Sequence, residues 1–153
     1  MKRWICYVAA LALLGVSPFH RLDISRLAPV ETVWLGQQGG LVCIETDQGY
    51  FGSGEDVASA LENLNATASA IVFLETADYV ILESGMERCL IQAERIFRPS
   101  CMLCIADQMP DLKAATDFLQ IHEPAVTLRQ WNVQQCSLPR LIATDGRFAW
   151  QDG

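Results

Sequence analysis

Ala70-Ile71-Val72-Phe73-Leu74-Glu75-Thr76-Ala77-Asp78-Tyr79-Val80-Ile81-Leu82 is the stretch on which the fold turns. It holds two unbroken apolar runs of strand length, 70–74 and 79–82, with Thr76-Ala77-Asp78 between them. A strand with one wet face alternates apolar and polar residues, so unbroken runs belong to strands covered on both faces. Coverage requires helices, and helical spacing flanks the stretch on both sides.

Upstream, Val57, Ala58, Leu61 and Leu64 share one helical face while Glu55, Glu62 and Asn63 stay outside. Ser53 followed by Asp56 predicts the cap of this helix. Before it, Val30–Leu35 and Leu41–Thr46 read as the arms of a β-hairpin turning at Gln37-Gln38-Gly39-Gly40, and Tyr50-Phe51 adds a short third strand. Downstream, Ser84-Gly85-Met86-Glu87 predicts the start of a second helix with Met86, Cys89, Leu90, Ala93, Ile96 and Phe97 inward, stopped by Pro99. Cys101–Ala106 is a strand. Pro110-Asp111 opens a third helix with Pro at its first position and Leu112, Ala115, Phe118 and Leu119 inward. Val126–Trp131 reads as a strand, and 141–150 as a hairpin turning at Asp145-Gly146. The sum is an α/β (α+β) domain in two layers, a mixed β-sheet with about three helices.

The chain has 153 residues, which fits one domain, and half of it is apolar. Lys2 and Arg3 belong to the basic start, so residues 21–153 hold nine of the eleven basic residues against all eighteen acidic ones, a balance of −9. A surface of that sign repels phosphate backbones and anionic lipid headgroups, which excludes nucleic acid as an expected partner.

Trp4–Val16 runs thirteen residues without a charge after Met1-Lys2-Arg3, and Ser17-Pro18 ends it. That is the pattern of a secretory signal, and an N-terminal hydrophobic helix is expected over it. Residues 1–20 are therefore expected to be a signal peptide or signal anchor, and 21–153 a single acidic domain. The basic start keeps this end in the cytoplasm and sends the rest across. Membrane contact is expected through residues 4–16, with the domain outside the cytoplasm, anchored or secreted.

Cys101-x-x-Cys104 is the sharpest chemical motif, and an exported thiol-disulfide protein using that pair is the alternative function. As strand residues the two thiols point to opposite faces. Five cysteines follow the signal segment, an odd number that leaves at least one unpaired. His20 and His122 are the only histidines and neither neighbours a Cys, so no metal site, cofactor or catalytic residue is assigned. His122 reads as a helix C-terminal cap. Glu75, Asp78 and Tyr79 at the strand break form a candidate ligand or partner surface.

Gly52-Ser53-x-x-x-Val57-Ala58-x-Ala60-Leu61-x-x-Leu64, followed by Ile71–Leu82, Cys101–Ala106 and the acidic helix 111–119, resembles the N-terminal domain of the Ger(x)C spore germination proteins over residues 30–122. Members of that family are longer and carry a lipid-modified N-terminal cysteine; no lipobox precedes Cys6 here. The resemblance implies a non-enzymatic, reduced relative with a protein anchor in place of lipid. It would act through a protein partner at the membrane in bacterial sporulation or spore germination.

Overall fold

Gly39 and Gly40 both adopt positive φ, 60° and 87°, which is the backbone a two-residue hairpin turn demands. They join β2 (Thr32–Gln38) to β3 (Leu41–Thr46), paired in register from Gln38↔Leu41 to Val33↔Thr46. This is the hairpin expected from the sequence. The computed structural model describes residues 27–144 and 146–151. The expected N-terminal helix, segment 4–16, Cys6, His20 and Asp145 lie outside the described residues.

The remaining strands are β1 (Leu27–Pro29), β4 (Phe51–Gly54), β5 (Ile71–Phe73), β6 (Tyr79–Glu83), β7 (Met102–Ala106), β8 (Val126–Thr127), β9 (Leu141–Thr144) and β10 (Arg147–Trp150). The helices are α1 (Val57–Thr67), α2 (Cys89–Ala93), α3 (Leu112–Ile121) and α4 (Leu128–Gln134). Six strands form a mixed sheet in the order β4-β3-β2-β6-β7-β8. At its centre β2, β6 and β7 run parallel. β9 and β10 make the expected terminal hairpin, with Gly146 at positive φ in its turn.

The alternation of side chains sorts the core into two clusters. Val33, Leu35, Val80, Leu82, Leu103 and Ile105 face one side and pack under α1, α2 and α4. Trp34, Tyr79, Ile81, Cys104 and Ala106 face the other, under α3 and the β9–β10 hairpin. The sheet is thus covered on both faces, making three layers where two were expected. Thr32 and Thr116, both buried, pin α3 to β2: Thr116 Oγ1 lies 2.7 Å from the Thr32 hydroxyl and 2.7 Å from the Leu112 carbonyl. Two hydroxyls supply the protons for both contacts, so no buried polar group is stranded there.

Several local expectations are corrected. Val126–Trp131 is no single strand: β8 has two residues, and Thr127 then caps α4 through a reciprocal box with Gln130. Among the described residues the helices number four, where about three were expected. The cap of α1 is Asp56 with Ser59 at N3, not Ser53 with Asp56, because Ser53 is spent inside β4. Pro110 precedes the cap Asp111 and so stands outside α3, not at its first position. α2 begins only at Cys89 with no side-chain cap and ends at Ala93, well before Pro99. The first apolar run contributes β5 to a separate two-stranded parallel sheet with β1, and Ile71 is exposed. Leu74–Thr76 turns as a single 3-10 helix. Only the second run, β6, is the doubly covered strand that its sequence announced.

Candidate functional site

In open sheets with parallel strands, ligands collect in the crevice outside the strands' carboxyl ends. The carboxyl ends of β2, β6 and β7 here are Gln37-Gln38, Glu83 and Ala106-Asp107. A cleft of about 290 Å³ opens there, with Trp34 at its base, Glu45 and Phe51 from β3 and β4 on one side, and Gln108 and Met109 on the other.

The cleft exists because helix coverage stops. On the α3 side of the sheet, β3 and β4 present Leu41, Cys43, Glu45, Phe51 and Ser53, and no helix lies over them. Leu41 and Phe51 are accordingly exposed, at 41% and 43%. The outer edge of β4 is closed by α1: the Ser53 N–H donates to Asn63 Oδ1 at 3.2 Å and the Phe51 carbonyl accepts from Thr67 Oγ1 at 3.3 Å. A partner strand therefore finds no free ladder at that edge, and the open face is what remains for contact.

Gly36 makes the floor. A Cβ there would sit 2.7 Å from Glu83 Oε2 and closer still to Trp34 Nε1, so the indole and the carboxylate occupy the space a side chain would take. Glu83 Oε2 accepts from the Gln37 N–H at 2.6 Å, tying β6 to β2 at their ends. Asp107 is held separately by Ser84 Oγ, 2.9 Å away, and by an ion pair with Arg140, which also donates to Ser84 at 3.0 Å. The hydrogen bond from Ser84, and then the Arg140 charge, hold the Asp107 carboxyl below its ordinary range. Glu45 and Glu83 have no ion-pair partner among the described residues. Burial pushes the Cys43 thiol up, and the charges of Glu83 and Glu45 add to the effect.

The residues singled out from the sequence lie elsewhere. Cys101 and Cys104 are both fully buried, one in each core cluster, on opposite sides of β7. Burial raises the Cys101 thiol to about 12 and pushes Cys104 up as well. Thiolate chemistry needs the reverse, an exposed sulfur with a lowered pKa, so this placement weighs against a redox pair. Cys43, Cys89, Cys101, Cys104 and Cys136 are all free thiols.

Glu75, Asp78 and Tyr79 are not brought together either. Glu75 is exposed on the 3-10 turn. Asp78 is engaged by an ion pair with Arg98. Tyr79 is buried in the α3-side cluster, where burial, and then Glu123 and Glu31, raise its phenol. His122 does close α3, its N–H donating to the Phe118 carbonyl and its ring centred 4.7 Å from that of Phe118 at a tilt of 35°.

Among the described residues no three His, Cys, Asp or Glu side chains gather to hold a metal ion, and no helix is long and apolar enough to cross a membrane. Compared with protein-family models, curated proteins and solved structures, the chain finds no match.

Proposed function

We propose that the chain is a non-catalytic binding or assembly module, held at a membrane or exported through residues 4–16, that meets a protein partner at the cleft beside Trp34. The observation that carries this reading is the cleft itself. It joins apolar surface at Phe51 and Met109 to two carboxylates without ionic partners among the described residues, Glu45 and Glu83, at the carboxyl ends of parallel strands. Apolar surface with a few convergent polar groups is the usual make-up of a binding site. Cys43, the thiol in its wall, is buried, and burial together with the Glu83 and Glu45 charges pushes it up, the reverse of what a nucleophile needs, so the cleft offers contact rather than bond-making.

The location rests on the basic start followed by thirteen uncharged residues. The likeness to Ger(x)C N-terminal domains favours the same place and a role in sporulation or germination.

A phosphatase reporter that is active only outside the cytoplasm, fused after Gly153 and expressed in a bacterial host, tests the location. The full chain is expected to give active reporter, and deletion of residues 4–16 to abolish it. An inactive reporter on the full chain, with the fusion intact by immunoblot, overturns the reading.

A further inference from the structure

Trp34 is 4% exposed, yet its indole N–H donates to no acceptor among the described residues. A sealed, unpaired N–H of this kind is costly and rare. Trp34 Nε1 is not sealed: the fully buried side-chain nitrogen left without a partner among the described residues is Arg98 Nε. The indole nitrogen lies over Gly36 beside Glu83 Oε2, and Trp34 lines the cleft, so an acceptor that enters can reach it.

The occupant must satisfy two demands at once. Glu45 and Glu83 need positive charge or strong donors, and Phe51 beside them offers an exposed ring face. A guanidinium meets these together, because it is planar, weakly hydrated, rich in donors and stacks on aromatic rings. Trp34 Nε1 needs an acceptor, and a guanidinium has none. The acceptor has to be neutral, since a carboxylate would meet Glu45, Glu83 and Asp107. A cation and a neutral carbonyl on one short stem describe an arginine residue within a peptide chain.

We infer that the cleft binds an arginine side chain of a partner polypeptide, its guanidinium at Glu45 and Glu83 and its main-chain carbonyl accepting from Trp34 Nε1. The inference rests on reading the domain as a binding module, and it deepens that reading by naming the ligand. A domain that is exported but ignores arginine sinks only the inference; one that binds arginine from the cytoplasm sinks only the location.

N-acetyl-argininamide, titrated into the ¹⁵N-labelled full chain in detergent, tests it. The readout is the Trp34 indole cross-peak, assigned by its loss in Trp34→Phe. Saturable movement of that peak is expected. N-acetyl-citrullinamide, the neutral isostere, is expected to bind about tenfold or more weakly, as are Glu45→Gln and Glu83→Gln with the arginine probe. Glu83→Gln keeps an acceptor for the Gln37 N–H and is expected to fold, and Glu45→Gln lies on the open face and checks it independently. n-Propylguanidinium, the arginine stem and guanidinium without the carbonyl and with the same single charge, is expected to bind more weakly than the amide. An unmoved Trp34 peak, equal binding of the citrulline probe, or undiminished binding by both Gln variants overturns the proposal. Equal binding of n-propylguanidinium overturns the peptide carbonyl and with it the polypeptide source.

Discussion

In native protein at pH 8, Cys101 and Cys104 are expected to react with a thiol reagent at least about 1000-fold more slowly than in the unfolded chain. Both sulfurs are fully buried, and each lies in a different core cluster on either side of β7. Reaction therefore has to wait for opening of the fold, and the rate is set by how rarely it opens. Cys89 and Cys136 are only half-buried and serve as internal references that label faster. Peptide mapping by mass spectrometry after timed quenching separates the sites.

The pKa shifts add a sign. Both thiols ionise at higher pH folded than unfolded, Cys101 at about 12. Their contribution to stability is thus complete below the unfolded thiol's range, about 8.5, and is lost as pH climbs toward the folded value. Rapid labelling of either cysteine in folded protein, or a Cys101–Cys104 disulfide in it, would favour the alternative exported-thiol reading over the binding module.

Gly52→Ala is expected to cost about 3 kcal/mol. Gly52 lies on β4 under α1, and a Cβ there would stand 2.6 Å from the Leu64 backbone nitrogen, with the Ala60 carbonyl nearer still. These are backbone atoms of a helix, so no side-chain rotation relieves the clash; α1 must move off the sheet. Val57, Ala60 and Leu64, all buried on that face, lose packing when it does. In urea the midpoint falls by about 1–2 M with the slope unchanged. Ser53→Ala, one residue on and facing the open side of the sheet, is the matched control and changes little. A Gly52→Ala midpoint equal to that of the parent chain would mean that α1 does not press on β4 as described.

Gly52 also shows what the sequence carries and what it withholds. Gly52-Ser53-Gly54 reads as turn chemistry from composition, yet it is a strand, and its glycines serve the close approach of α1. Local patterns were legible where one period dominated: the hairpin at Gly39-Gly40, the strands β6 and β7, and the stripe of α3. The α1 stripe was legible in part: Val57 and Leu64 are buried, but Ala58, expected inward, is exposed and Ala60 is buried instead. α4 was misread because Val126, Leu128 and Trp131 fit a buried strand as well as a short helix. The discriminating signal, Thr127 with Gln130 three residues on, is a capping box.

The cleft was not legible at all. Trp34 and Glu83 meet only because β2 pairs in parallel with β6 across the whole β3–β4–α1–β5 excursion. No spacing rule reaches that far. Glu75, Asp78 and Tyr79, close in sequence, were separated by the same geometry: a turn, an ion pair to Arg98 and a buried layer.

A photocrosslinking residue placed at Met109 tests the central claim most directly. Met109 edges the cleft and is 49% exposed, while Val133 on α4, 78% exposed, lies on a helix that packs against the other side of the sheet. In membranes from the native cell carrying the full chain, the account predicts one discrete crosslinked species from position 109. It predicts none from position 133, and loss of the product with Glu45→Gln and Glu83→Gln combined. Equal products from both positions, or a product at 109 indifferent to the two carboxylates, would contradict it.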